Sequence, residues 1–292
     1  MIRYIQHKDI DKPRWDAALE ACVNALPYAY SWYLDSVSGQ SWDALVLDDY
    51  AALFPLPVKR KFFIPMVYQP FFTQQLGLFA RDEATLQLLP DFLKAIPRKF
   101  LRVYLHLNAE NAVASPTRRL THQVALNTDY SYIYSNYSSV VVRNLKRIVN
   151  QGMAAESSAD VYTFLRFMQE QLGGKLSDLA PGDIKRLEHL LLEVLERKKG
   201  FIRYALDKEG NRIAGTCIVR SNNRCIYLLA ASTTAGKKKN GMTFLIDSMF
   251  QELAGKDIVF DFEGSMIPGI ARFNKNFGGQ EVYFSCFSRR LL

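Results

Sequence analysis

The residues best suited to chemistry lie in the last third of the chain. Ile258-Val-Phe-Asp261-Phe-Glu263-Gly264-Ser265 reads as a strand that ends in two carboxylates. Alternate strand residues share a face, so Asp261 and Glu263 are expected on one side of the strand tip. Mutual repulsion within such a pair raises one pKa and makes a base able to take a proton from an amine. The segment Glu263-Gly264-Ser265 reads equally as a turn that caps the helix expected over 267–276. Arg272 and Lys275 on that helix are candidate contacts for an oxyanion or a phosphate. Tyr227 and Tyr283, on expected strands, are candidate proton donors to a leaving group.

A second constellation precedes it. Ser232-Thr-Thr-Ala-Gly236-Lys237-Lys238-Lys239-Asn240-Gly241 reads as a loop that leads into a helix. Gly236 and Gly241 permit close backbone approach, and the lysines bring positive charge. The first N–H groups of the helix, with its dipole, favour an anion there. Phosphate binding is one reading of this run, and a solvated turn is the other.

These groups must be positioned by strands and helices in alternation. In the first half, strands are expected at Ile2–Ile5, Trp42–Leu47, Ala51–Lys59, Met66–Thr73 and Phe100–Leu107. A helix capped by Asp9 or Asp11 carries Pro13 in its first turn, and apolar spacing from Leu86 to Ile96 predicts another over 83–96. Residues 108–118 read as a connector, followed by a strand at His122–Leu126. In the second half, Tyr137–Gln151 reads as a basic helix, Ala159–Gln171 as a helix closed by Gly173-Gly174, and Asp183–Lys199 as an amphipathic helix capped by Asp183. Strands follow at Phe201–Leu206, Arg212–Arg220 and Arg224–Ala231, then a helix at Met242–Leu253 and strands at Ile258–Phe262 and Val282–Ser288. Met66–Leu107 and Arg224–Phe262 share one grammar, two apolar strands joined by a helical crossover, which favours parallel neighbours. The expected architecture is α/β with mixed sheets, made twice: a domain over 1–130 and another over 131–292.

The chain has 292 residues, 49% of them apolar and 23% charged, which excludes dominant disorder. It has 4 cysteines in no CxxC pair and 4 scattered histidines, so neither a zinc ribbon nor a Ser/His or Cys/His triad is indicated. No apolar run reaches the ~20 residues of a membrane span, and the charged N-terminus leaves no signal-peptide core, so a cytoplasmic protein is expected. Lys+Arg number 14 against 13 Asp+Glu over 1–130, a balance of +1, and 23 against 16 over 131–292, a balance of +7. The second half is therefore expected to meet an anionic partner, or to present a solvated basic face. The tyrosine run Tyr130–Tyr137 serves packing or, as the alternative, a stacking platform.

The strand end Asp261-Phe-Glu-Gly-Ser265, the helix Gly269-Ile-Ala-Arg-Phe-Asn-Lys-Asn-Phe-Gly-Gly279 and the final strand resemble the C-terminal signature of GNAT-fold (acyl-CoA N-acyltransferase) proteins. They are most similar to the FemAB-like group, in which two such domains occur in tandem. Val141-Val-Arg-Asn-Leu-Lys-Arg147 is similar to a basic helix of that group. The resemblance implies two neighbouring parallel strands that splay, here Arg224–Ala231 and Ile258–Phe262, with the opened backbone holding an extended activated donor. It implies an acyltransferase that moves an acyl or aminoacyl group from acyl-CoA (acetyl-CoA included) or aminoacyl-tRNA, with no tightly bound cofactor and no metal. The acceptor would be a small-molecule or cell-wall-precursor amine. Donor contacts would come from Ala230, Ser232, Gly236, Lys237, Lys238, Lys239, Asn240 and Gly241, and the chemistry from Asp261, Glu263, Tyr283 and Lys275. Tyr68–Gly77 stands at the matching place in the first half, but its polar groups are Gln69, Gln74 and Gln75, and no basic residue lies between Lys61 and Arg81. That half is expected to bind no CoA and to shape an acceptor groove or act as a scaffold. Two other functions stay open. One is an inactive binding module on the same fold. The other is a tRNA or nucleic-acid binder using Arg143, Lys146, Arg147 and Lys237–Lys239, with steeply salt-dependent binding.

Overall fold

The computed structural model describes residues 1–111, 113, 117–173 and 179–291, so Gly174 and part of the connector expected over 108–118 lie outside the described residues. The chain forms two compact units, Met1–Leu120 with Val282–Leu292, and Thr121–Glu281. The last strand thus belongs with the first half of the sequence, which differs from a division into 1–130 and 131–292.

In chain order the first stretch contains β1 (Ile2–Ile5), α1 (Lys12–Glu20), α2 (Ser31–Ser38), β2 (Trp42–Leu47), β3 (Ala52–Lys61), β4 (Ile64–Val67), β5 (Phe79–Ala80), α3 (Glu83–Leu86), α4 (Leu89–Ala95) and β6 (Arg102–His106). Then come β7 (Arg118–Ala125), α5 (Tyr130–Ser135), α6 (Ser139–Ile148), β8 (Ala154–Ser158), α7 (Val161–Leu172), α8 (Pro181–Glu196), β9 (Gly200–Leu206), β10 (Arg212–Ser221) and β11 (Arg224–Ser232). The chain ends with α9 (Thr234–Lys239), α10 (Gly241–Leu253), β12 (Val259–Asp261), α11 (Pro268–Lys275) and β13 (Gln280–Arg290). Helix starts follow local chemistry: Asp11, Asp82, Asp129, Ser138 and Asp160 each accept a first-turn N–H. Asp183 does not cap its helix. Pro181 starts α8 one turn earlier, and Asp183 instead pairs with Arg186 at 3.1 Å.

Both units use one topology. In the first, β1, β2, β3 and β4 pair antiparallel in sequence, β4 pairs parallel with β6, and β6 pairs antiparallel with β13. In the second, β8, β9, β10 and β11 pair antiparallel, β11 pairs parallel with β12, and β12 pairs antiparallel with β7. A plain tandem repeat would give β7 to the first unit and β13 to the second. The pairing exchanges them.

The first core centres on Trp15 and Trp42, edge to face at 5.1 Å, with Asp35 accepting from Lys12, His7 and Trp42. The second centres on Phe250, Phe260, Phe262, Phe277 and Tyr137, all buried. The β3–β4 connection is tighter than the sequence suggests. β3 runs on to Lys61, which pairs with Ile64, and the two-residue turn is Phe62-Phe63 with φ of 49° and 65°. Such turns normally take Asn and Gly, and a left-handed non-glycine residue costs about 1–2 kcal/mol.

Arg289 of β13 fastens the closing strand of the first unit. Its guanidinium donates to the carbonyls of Ile96, Pro97 and Phe100 at 2.9, 3.1 and 3.4 Å. Arg289→Met should keep the aliphatic packing but leave these carbonyls without their charged donor. It should lower unfolding stability by about 1–3 kcal/mol in urea titration, and an unchanged midpoint would contradict this role.

Candidate active site

The parallel pair at the centre of the second unit is short. Arg224, Cys225 and Ile226 oppose Val259, Phe260 and Asp261, and the register ends there. β11 continues for six residues, Tyr227 to Ser232, with no partner on β12. On its other side it stays paired with β10, interrupted by a bulge. Cys217 opposes Leu229 and Ile218 opposes Tyr227, so Leu228 is the extra residue. A bulge bends its strand and re-aims the residues beside it. Thr216 Oγ1 donates to the Leu229 carbonyl at 2.8 Å and occupies that acceptor on the β10 side.

β12 leaves β11 because local groups draw it toward β7. Asp261 accepts from Thr121 Oγ1 at 2.5 Å, from Gln123 Nε2 at 2.8 Å and from the backbone N–H of Glu263 at 2.8 Å. Phe262 N–H goes to the His122 carbonyl at 2.9 Å, and Thr121 Oγ1 also reaches the Glu263 carbonyl at 3.0 Å. The chain turns at Glu263, whose φ of 58° is rare for this residue type. Strand alternation therefore stops at Asp261, which removes the basis for two carboxylates on one strand face. Burial pushes the Asp261 pKa up, opposed by its hydrogen bonds.

The following loop is pinned in the same way. Ser265, buried, lies 2.8 Å from His122 Nδ1 and accepts from Asn274 Nδ2 at 3.1 Å. Neither His122 nor Ser265 stood out in the sequence, because their pairing joins residues 143 apart. Nothing caps α11 through a side chain, so the cap expected from Glu263-Gly264-Ser265 does not form. On α11 the inward residue is Asn274, while Lys275 is largely exposed and lies 3.5 Å from Glu281. Tyr283 is half-exposed and belongs to the other unit. Tyr227, the first residue past the fork, rests its ring on Phe260 and Phe262, each at 6.0 Å. Burial raises its hydroxyl pKa further above the ordinary value of 10.0, so it stays protonated.

The expected donor residues divide. Ala230 and Ser232 lie on the open stretch of β11. The segment expected as a loop folds into α9, with Thr233 as its cap and Asn240, at φ 62°, as the joint to α10. Its last turn holds Lys237, Lys238 and Lys239, where cations offset the helix dipole. Lys239 is engaged with Asp207 at 3.0 Å and Glu209 at 3.8 Å. Lys237 and Lys238 are exposed and have no ion pair among the described residues. Gly236 and Gly241 face β10: a Cβ on Gly236 would lie 1.9 Å from the Ile213 carbonyl oxygen, and one on Gly241 would lie 3.2 Å from Ala214. Their role is packing. The first turn of α10 has no side-chain cap, which leaves its N–H groups open.

Beside α10 lies a cavity of about 360 Å³, lined by Tyr130, Tyr134, Lys146, Phe244, Asp247 and Gln251, among others. Tyr130 and Tyr137 both donate to Asp247 Oδ1, at 2.7 and 3.0 Å, and Gln251 donates to Oδ2 at 2.7 Å. The tyrosine run thus packs and orients α10. All four cysteines are buried and free, and burial pushes Cys217 up to about 12 and Cys225 to about 11. Among the described residues no group of three His, Cys, Asp or Glu could hold a metal ion, and no helix is long and apolar enough to cross a membrane.

In the first unit the matching fork is filled. β4 and β6 pair only at Met66–Arg102 and Val67–Val103. Beyond that, Gln69 Oε1 accepts the His106 N–H at 2.9 Å, and Leu76 bridges Leu107, donating to the His106 carbonyl at 2.8 Å. The chain itself supplies partners to β6 here, whereas β11 past Ile226 has none on β12.

The chain shares its fold with several solved structures over nearly its whole length. The crystal structure of FemX superposes with a TM-score of 0.68 at 12% identity, over 97% of this chain and 96% of that one. A protein of unknown function from Bacteroides thetaiotaomicron gives 0.59 at 14% identity, covering 98% and 100%. L-PGS from Bacillus licheniformis gives 0.53 at 14% identity, covering 96% and 92%. No protein-family model and no curated protein matches the sequence.

The neutral, buried His122 makes a pH test possible. Burial lowers its pKa below the ordinary 6.5, with Glu281 and Asp261 opposing and Lys275 assisting. The unfolded chain therefore binds the extra proton first, and His122 costs stability as pH falls through 6.5. Asp261 has the opposite sign, but it is common to both proteins in a comparison of wild type with His122→Gln. Between pH 7.5 and 5.5 the wild type should lose more melting temperature than the variant. Parallel curves would remove this assignment.

Proposed function

We propose that the chain is an acyltransferase that binds one activated donor in the fork between β11 and β12 and passes its acyl or aminoacyl group to an amine. The observation behind this reading is the fork itself: six residues of β11 past Ile226 lack a β12 partner, beside an uncapped helix start. Main-chain groups on an open strand edge can pair with an extended arm much as another strand would. The helix start, with Lys237 and Lys238 nearby, suits phosphates on the carrier. The cavity edged by Lys146 offers space along α10 for the rest of it. Acyl-CoA and aminoacyl-tRNA both have this design, an acyl ester or thioester on a phosphate-bearing carrier.

In the proposed step the amine nitrogen attacks the carbonyl carbon, a C–N bond forms, and the C–S or C–O bond to the carrier breaks. Glu263, on the strained turn at the fork, accepts the amine proton. The leaving sulfur or oxygen takes up that proton from Glu263, and Tyr227, held protonated by burial, donates a hydrogen bond to it. Asp261, saturated by three donors, positions the fork. Lys275 at the α11 end belongs to the acceptor side of this reading. The likeness to FemX supports the fold, and an amine acceptor of the cell-wall-precursor or small-molecule class is part of the proposal.

Calorimetric titration with acetyl-CoA, a long-chain acyl-CoA and aminoacyl-tRNA should give saturable binding of one of them at one site per chain, since the first fork is filled. Lys237→Glu/Lys238→Glu should weaken that binding about tenfold or more and flatten its salt dependence. Glu263→Gln should lower turnover by about 100-fold with donor affinity retained. Absence of saturable binding to all three by the folded protein would refute the proposal, as would two equivalent sites.

A further inference from the structure

We propose that the tip of the β3–β4 hairpin is a docking element for an anionic lipid bilayer surface. The inference does not rest on the transferase reading. Phe62 and Phe63 form the two-residue turn and are 83% and 93% exposed, with Ile64 next to them at 40%. Both phenylalanines have positive φ, in positions that favour Asn and Gly. The Lys61 ammonium lies 5.8 Å from the Phe62 ring centroid, a weak contact at an exposed site that offers little against the strain of two left-handed phenylalanines. A use outside the chain accounts for them.

Charge identifies the surface they meet. There is no Asp or Glu from residue 50 to 81, from 92 to 109, or from 282 to the end. These stretches converge at one end of the first unit's sheet. Lys61 pairs with Ile64, Met66 with Arg102, and Arg102 with Arg290. Lys59, Arg60, Lys61, Arg102 and Arg290 are exposed around the aromatic tip and have no ion pair among the described residues. A notch of about 220 Å³ beside the turn has Lys61 and Arg102 at its edge and Ile64, Met66 and Leu101 among its walls.

Aromatic side chains at the apex with cations behind them match the layering of a membrane interface, where the rings enter the acyl boundary and the cations meet lipid phosphates. A second copy of the chain fits poorly. The apex offers two side chains, far short of the ~1,000 Å² of a stable protein interface, and the surrounding like charges would repel. A soluble polyanion without rings would use the cations but not the phenylalanines, and a nucleic acid, whose bases stack on aromatic side chains, is an outcome that the test separates.

Flotation of the full chain should distinguish these occupants, with vesicles of phosphatidylcholine alone or with 30% phosphatidylglycerol, at 0.1 M salt. The protein should float with the anionic vesicles and stay behind with the neutral ones. Phe62→Asn/Phe63→Gly should reduce partitioning at least tenfold while raising the melting temperature, because Asn-Gly suits the turn. That variant keeps a folding defect from imitating a binding defect. Lys61→Gln/Arg102→Gln should cost about fivefold per charge. The proposal is overturned if the wild type stays behind with anionic vesicles. It is equally overturned if the Phe62→Asn/Phe63→Gly protein floats as well as wild type, or if that substitution changes only self-association or tRNA binding.

Discussion

The carboxylate of Asp261 is the constraint on which the second unit depends. A parallel pair that begins at Arg224 and Val259 would ordinarily continue along both strands. It stops because Asp261 takes the N–H of Glu263 into its own side chain, while β7 takes the N–H of Phe262. The next β12 donor on the β11 side, the Glu263 N–H, is thereby withdrawn. Each amide on the abandoned edge of β11 must find water or a ligand, since a buried unpaired group costs about 1–3 kcal/mol. The fork persists because three donors hold Asp261, and the Leu228 bulge bends β11 the other way. Removing the acid would restore the option of zipping the strands together.

The first unit shows what such a fork becomes when the chain fills it. Gln69 supplies a side-chain carbonyl where a strand would supply a backbone one, and Leu76 returns as a single-residue bridge. β6 is thus given partners past its two paired residues, while β11 past Ile226 has none on β12. The exchange of closing strands ties the two in folding. β6 waits for β13, the last strand of the chain, and β12 pairs with β7, which precedes every other strand of its own unit. The first unit's sheet is therefore completed only once β13 is available.

The sequence made the periodic features legible. Crossover helices, antiparallel runs and caps such as Asp11 are local, and the parallel pairs followed from the strand–helix–strand grammar. The role of Asp261 was hidden because its partners Thr121 and Gln123 lie about 140 residues away. The lysine run reads as a phosphate loop or as a solvated turn, because glycine and lysine together allow both. In the structure the glycines make room for β10, and one lysine pairs with the β9–β10 turn. The final strand read as part of the second half because nothing local in it says which sheet edge it will join. Phe62-Phe63 was missed as a turn because turn chemistry announces itself through Asn, Gly and Asp, and here the signal is absent.

Net charge by halves does not say which surface of a half a partner meets. Ion pairs within the second half, Arg212 with Glu156, Arg203 with Glu252, Arg197 with Glu193 and Lys239 with Asp207, leave its balance of +7 unchanged but decide which cations stay unpaired. The +1 of the first half averages acidic residues near β1, α1 and the β2–β3 turn with an acid-free sheet end. Screening limits the reach of surface charge to about 10 Å at moderate salt, so a partner feels the local cluster rather than the domain sum. What matters is which strand ends the pairing register brings together. Register is set by β3, β4, β6 and β13, the last of which arrives from the far end of the chain. The exchanged strand thus completes the first unit's sheet and also adds Arg290 to its basic rim.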